Sequence, residues 1–138
     1  MTRAQHEATV ARAKGGLQNV DRLEKIATSH DPKNPRVSLD DVVNSIDAIH
    51  YIHPAEAMPD PNGIPKTDIL WTMTICICVL KNGWAVQGNS APAHPANFNE
   101  DVGRQLAYED CIRQIWRLLG FELRQRLYEA DVASGTRT

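Results

Sequence analysis

Apolar and polar residues alternate with a period of two through Thr72–Leu80, with Met73, Ile75, Ile77 and Val79 on one side and Thr74, Cys76 and Cys78 on the other. That period belongs to a β-strand, whose successive side chains point to opposite faces. The run stops at Lys81-Asn82-Gly83-Trp84, and a second short run follows through Ala85 and Val86. Asn-Gly between two such runs is a strong hairpin signal, because a type I′ turn needs positive φ at both central residues. With Asn82 and Gly83 as the turn, Lys81 faces Trp84, Leu80 faces Ala85 and Val79 faces Val86. Trp84 and Val86 then join Ile77 and Val79 on one apolar face, which is the expected core face.

Upstream, Ala48 to His53 reads as a strand able to pair with Thr72–Leu80. Ser38 is placed to cap a short helix that carries Asp40 and Asp41 in its first turn and buries Val42, Val43 and Ile46. Pro54 to Asp68 holds four prolines and Gly63, so it is expected to be a long irregular loop. Downstream, Pro92 and Pro95 end the sheet, and Asn97 with Glu100 three residues later resembles a capping box. Val102, Leu106, Ile112, Ile115 and Leu119 then recur at roughly helical spacing, with Trp116 at the edge of the stripe. Gly120 is a natural helix stop, and Phe121, Leu123 and Leu127 continue into a second short helix ending near Tyr128. Residues 3 to 29 have helical composition, interrupted by Gly15-Gly16, and His30 to Pro35 is a linker.

The expected architecture is therefore α+β. A small antiparallel sheet built on a β-hairpin (about 72–89) is packed by a long C-terminal helix (about 99–119) and a short terminal helix, behind an N-terminal helical extension. Residues 1–36 form the extension and linker, 37–130 a single domain, and 131–138 a polar tail.

Composition alters this picture little. A net charge of −2 gives no global electrostatic case for nucleic-acid or anionic-membrane binding, so neither is expected as a partner. Three cysteines, an odd number, supply no disulfide framework and fit a reducing compartment. The first residues do not read as a signal peptide and no apolar run approaches a membrane span, so a cytoplasmic location is expected.

Candidate chemistry is sparse. Cys76 and Cys78 share a strand face opposite the Ile row, and His50 and His53 lie on the strand that pairs beside it. Their spacing matches no zinc finger, knuckle or ribbon, and two histidines three apart on a strand point to opposite faces. The plainer reading makes Cys76, Cys78 and Cys111 small core residues, and no metal or cofactor is expected. No thiol has a local nucleophile signature, and Gly-x-Ser-x-Gly, phosphate-loop, dinucleotide and His-Glu-x-x-His motifs are all missing. A non-enzyme is expected, with no catalytic residues. Arg suits bidentate contact to phosphate, and Arg104, Arg113 and Arg117 lie on the long helix, although a solvated face with Glu109 paired to Arg113 is the plainer reading. Trp71, Trp84, Phe98, Tyr108 and Trp116 are rings on which a base could stack, against core or interface roles. Asn89, Asn97 and Asn99 could read polar edges, against turn and cap roles.

Several blocks together carry a resemblance. They are Val79-Leu80-Lys81-Asn82-Gly83-Trp84, Gly88-Asn89-Ser90-Ala91, Pro95-Ala96-Asn97-Phe98-Asn99-Glu100, Gly103-Arg104, Ala107-Tyr108 and Ile115-Trp116-Arg117-Leu118-Leu119-Gly120-Phe121. In order and spacing they resemble a family of small tailed-phage proteins described by numbered gene products of enterobacterial phages. The resemblance spans roughly residues 37 to 128. Two departures stand out: Pro92 where the family commonly has cysteine, and Arg117-Leu118-Leu119-Gly120-Phe121 where it commonly has Pro-Leu-Glu-Gly-Tyr.

That family is similar to phage sponge proteins, which defeat the bacterial Thoeris defence by sequestering its cyclic ADP-ribose signal. The similarity implies an anti-defence protein of the host cytoplasm. It would bind a cyclic nucleotide between protomers of a homo-oligomer, without cleaving it. A dianionic ligand of that kind needs a cation, a ring to stack on and amides or hydroxyls to read its edges. Within the shared motifs the residues of those types are Trp84, Ser90, Asn97, Phe98, Asn99, Arg104, Tyr108 and Arg113. The alternative is a structural or interaction protein that binds a host or phage protein through an apolar surface around Trp84 and Trp116.

Overall fold

The structure is a computed structural model, and it describes residues 34–136. The helical extension expected over residues 3 to 29 lies outside them. In chain order the elements are α1 (Leu39–Asn44), β1 (Ile46–Ile52), two 3-10 turns, α2 (Ile69–Thr72), β2 (Thr74–Leu80), β3 (Ala85–Ser90), a third 3-10 turn and α3 (Glu100–Ser134). The strands form one antiparallel sheet in the order β1-β2-β3, and α3 packs across β2 and β3. The expected α+β architecture is the observed one.

Local signals explain the smaller elements. Ser38 Oγ accepts from the Asp41 N–H at 3.1 Å and the Asp41 carboxylate accepts from the Ser38 N–H at 2.9 Å, a complete capping box. Val42, Val43 and Ile46 are buried beneath it as expected. The proline-rich stretch before the hairpin is broken up by the short turns Pro54–Ala57 and Pro61–Gly63 and by the single turn of α2. Trp71 Nε1 donates to Ile64 O at 3.0 Å and Lys66 Nζ lies 3.4 Å from the centre of the Trp71 ring, so this ring fastens the loop.

The hairpin lies where its turn chemistry put it, but its register differs by one residue. Val79 pairs with Ala85 and Cys78 with Val86, rather than Leu80 with Ala85 and Val79 with Val86. Gly83 N–H donates to Leu80 O and Leu80 N–H to Trp84 O, which closes a three-residue loop, Lys81 to Gly83. Gly83 has φ +89°, while no described non-glycine residue has positive φ, so Asn82 cannot take its part in a type I′ turn. The glycine occupies the left-handed position of a three-residue loop instead. A shift of one residue turns over the faces of a strand pair. Thr74, Cys76, Cys78 and Leu80 are the buried row of β2, joined by Val86 and Gly88, while Ile75, Ile77 and Val79 are only half-buried on the other face.

The reason is how closely α3 lies on the sheet. A Cβ added at Gly88 would fall 2.3 Å from Ala107 O and 2.7 Å from Cys111 N, so helix backbone meets strand backbone with nothing between. Only small side chains fit around such a contact, and the layer is made of Ala107, Cys111, Cys76 and Cys78, all fully buried. A row of Ile there would lift the helix away.

α3 corrects two further expectations. It begins one cap later than Asn97, since Asn99 Oδ1 accepts from the Val102 N–H at 3.1 Å. It also runs unbroken for 35 residues to Ser134, through Gly120 and the first half of the expected polar tail, and ends at Gly135 with φ +76°. Gly120 is a mid-helix residue around which an added Cβ meets nothing within 4 Å. The buried stripe is Ala107, Tyr108, Cys111, Ile112 and Ile115, with Leu119 partly buried against it; Val102 and Leu106 are half-exposed. Trp116 Nε1 donates to Val37 O at 3.1 Å, tying the helix to the segment before α1.

The two glycines should respond in opposite directions. Gly88→Ala drives a methyl group into helix backbone and should destabilise by about 1–3 kcal/mol or more, the usual cost of overpacking. Gly120→Ala should stabilise by up to about 1 kcal/mol, the helix-propensity difference. Urea unfolding of both variants beside the parent chain measures the two effects.

Candidate functional site

The loop after β3 returns to the start of α3 and encloses a cleft. Ser90, Ala91, Pro92, Asn97, Phe98, Asn99, Val102, Gly103 and Leu106 line a volume of about 130 Å³. Its floor is fastened by Ser90 Oγ, which donates to Gly103 O at 2.6 Å and ties the end of β3 to the first turn of the helix. Gly103 is close-packed here, because a Cβ would lie 2.8 Å from Thr74 Oγ1. Prolines 92 and 95 force the chain out of the sheet, His94 Nδ1 accepts from the Ala96 N–H, and the Asn99 cap brings it back.

Beside the cleft runs a connected set of polar and aromatic groups. The rings of Phe98 and His53 meet edge to face with centroids 5.6 Å apart. His53 Nδ1–H donates to Met73 O at 2.8 Å, and its Nε2–H reaches Glu100 Oε2 at 2.8 Å. Glu100 Oε1 in turn accepts from Arg104 Nε at 3.0 Å, and the Arg104 guanidinium lies over the Tyr51 ring at 5.3 Å. With both ring nitrogens facing acceptors, His53 is held best as imidazolium. Desolvation pulls its pKa down, but the hydrogen bond to Met73 O and the bond and charge of Glu100 outweigh this, so the value is raised above 6.5. In that form Glu100 sits between two cations and the group carries a net positive charge next to the cleft. In the same form His53 has no lone pair left to act as a base. The Arg104 pair runs through Nε and does not use the Nη fork that suits bidentate phosphate contact.

The eight residues chosen from the sequence are divided among four places. Ser90, Asn97, Phe98 and Asn99 line the cleft, while Arg104 does not line it and belongs to the Glu100–His53 group that touches the lining through Phe98. Two of these side chains already have structural work, Ser90 holding Gly103 O and Asn99 capping α3. Arg113 is nine residues beyond Arg104, about two and a half helical turns, which puts it on the opposite side of α3. There its Nη2 lies 3.9 Å from Asp110, rather than pairing with Glu109. Trp84 is 61% exposed at the hairpin end, where it lines a separate groove with Gln87, Gln114, Arg117 and Leu118. Tyr108 is fully buried within the core. Sequence reasoning passed over His53, Glu100 and Tyr51 as site residues. Glu100 read as a cap residue, and its partners are distant in sequence.

The three cysteines converge. Cys76, Cys78 and Cys111 are fully buried, with their sulfurs all within 4.8 Å of one another. Hydrogen bonding with Cys111 pushes the Cys76 and Cys78 thiols up, and the same contacts pull Cys111 down.

With this geometry established, comparison with known proteins places the chain. Residues 37–127 match the profile of the phage protein (N4 Gp49/phage Sf6 gene 66) family. The chain belongs to that family. The matched span covers the sheet, the cleft, the charged group beside it and most of α3. No curated protein and no solved structure gives a significant match. Among the described residues no helix is long and apolar enough to cross a membrane.

The His53–Glu100 contact has a pH signature. A histidine whose folded-state pKa lies above its unfolded value contributes stability that is complete below about pH 6.5 and is lost as pH rises through the folded value. NMR titration should find the His53 imidazole titrating above 6.5, and Glu100→Gln should lower that midpoint and flatten the loss of stability on the alkaline side.

Proposed function

We propose that this phage protein binds and sequesters a cyclic nucleotide immune signal, a cyclic ADP-ribose isomer or a cyclic oligonucleotide, and releases it uncleaved. The ligand class comes from the resemblance to the anti-Thoeris sponge proteins. The observation that carries the reading is the gathering of Phe98, Asn97, Asn99 and Ser90 in one cleft beside the Arg104–Glu100–His53 group. Phe98 offers a ring, the amides and hydroxyl offer polar edges, and the flanking charge favours an anion. Tyr108, Arg113 and Trp84 have no part in this arrangement.

The size of the cleft bears on how a ligand would be held. Small-molecule sites usually enclose about 300–1,000 Å³, so 130 Å³ accommodates only part of a nucleotide. Val102 and Leu106 are apolar residues of its lining left 51% and 48% exposed. A second protomer placed over them would enlarge and close the site, in line with capture by a homo-oligomer. Slow release needs tight binding, about 12 kcal/mol for nanomolar affinity, and a pocket closed between two chains supplies more contact than an open rim. The buried thiols are out of reach of a surface ligand, which fits binding without cleavage.

A second reading, a structural or interaction protein, draws on Trp84, Leu118 and Phe121, which are 61%, 41% and 72% exposed. Trp116, expected on that surface, is instead tied to Val37 O. The two readings separate cleanly. Incubation with cyclic ADP-ribose isomers and cyclic di- and trinucleotides, then heat release and chromatography, should return intact ligand. Arg104→Ala should weaken capture at least tenfold while moving the melting temperature little, because an exposed ion pair contributes at most about 1 kcal/mol. No captured nucleotide, or a cleaved product, refutes the sequestration reading. Capture left intact by Arg104→Ala removes that arginine from the site.

A further inference from the structure

Cys76 and Cys78 occupy alternate positions of β2, so the pleat sends both thiols to the face covered by α3. Cys111 meets them from the helix. The Cys76 and Cys78 sulfurs are 3.8 Å apart, and all three lie within 4.8 Å of one another. Thiolates bound to one tetrahedral ion at the usual metal–sulfur distance of about 2.3 Å stand about 3.8 Å apart. The backbone therefore already holds three soft ligands at close to coordinating separation.

A second observation comes from Tyr108. It precedes Cys111 by three residues on the same face of α3, and its phenol is fully buried. Its hydroxyl has no hydrogen-bond partner among the described residues. Tyr108 belongs to the same buried core cluster as Cys76, Cys78 and Cys111. A buried hydroxyl with nothing to bond is uncommon in folded proteins and often marks a missing ion or water.

We propose that Cys76, Cys78 and Cys111 form a site for one thiophilic divalent metal ion, zinc in the cell, with the Tyr108 hydroxyl facing the thiolates as a donor or fourth ligand. Binding exchanges three thiol protons for the ion: Zn²⁺ and three R–SH give a tris-thiolate complex of charge −1 and release three H⁺, with no change of oxidation state. An unbalanced charge in an apolar core is costly, and the unpartnered Tyr108 O–H of the same core cluster would compensate it. The ion would join β2 to α3 at the layer where the helix lies closest to the sheet. Because the site is sealed, loading belongs to folding rather than to entry into a finished fold.

The test uses the full chain, unfolded under reducing conditions and refolded with excess cadmium, with zinc, or with chelator. After gel filtration, elemental analysis should find one ion per chain. The cadmium form should show a sulfur-to-metal charge-transfer band, and the metal-loaded chain should melt higher than the chelator-treated one. Cys111→Ser should abolish the band, and Tyr108→Phe should weaken cadmium affinity several-fold while leaving the three thiols in place. A parent chain that refolds with no stoichiometric metal and no charge-transfer band overturns the proposal, whatever the variants do, and makes the trio ordinary core thiols.

Discussion

The contact between α3 and β3 at Gly88 governs the rest of the domain. With Ala107 O 2.3 Å from the place a Cβ would occupy, the helix cannot approach so closely over any other residue type. This spacing decides that the inner row of β2 is Thr74, Cys76 and Cys78 rather than the larger Ile and Val row. It also places the first turn of α3 over the end of β3, where Ser90 hydrogen-bonds Gly103 O and the chain between them must bow outward. The cleft is the space beneath that bow.

Electrostatics of the cleft follow from one residue of the same turn. Glu100 opens α3, where the helix dipole favours an acid, and it also bridges His53 on the sheet side and Arg104 one turn along. Through His53 the bridge reaches Met73 O and Phe98, so it fastens the loop, the entry to β2 and the helix start together. The same side chain that stabilises the helix end positions the cations of the candidate site.

Membership of the phage protein (N4 Gp49/phage Sf6 gene 66) family spans this whole arrangement. The blocks that carry the resemblance turn out to contain the close-packed glycines at 88 and 103, the Ser90 tie and the Asn99 cap. Much of the shared pattern thus encodes how helix and sheet meet. The part with freedom to recognise a ligand is smaller: the Asn97 and Phe98 side chains and the Arg104 fork.

Local rules were enough for what depends on a few neighbouring residues. The Ser38 cap, the presence of the hairpin, the strand that pairs with it and the helix after the prolines were all legible. The sequence alone also determined the gathering of Ser90 and Asn97 to Asn99, because they are close along the chain. Tertiary structure decided what depends on the spacing of α3 and the sheet. It chose the hairpin register, since a one-residue slip exchanges an Ile face for a Cys face and only the latter fits beneath a helix in backbone contact. It carried α3 through Gly120, where the loss of helix propensity, about 1 kcal/mol, is small against a long continuous helix. It put Arg113 behind the helix from Arg104, brought His53 to Glu100 across 47 residues and gathered three thiols from two elements. Those contacts join residues far apart in sequence, and no local pattern records the distance at which two packed surfaces come to rest.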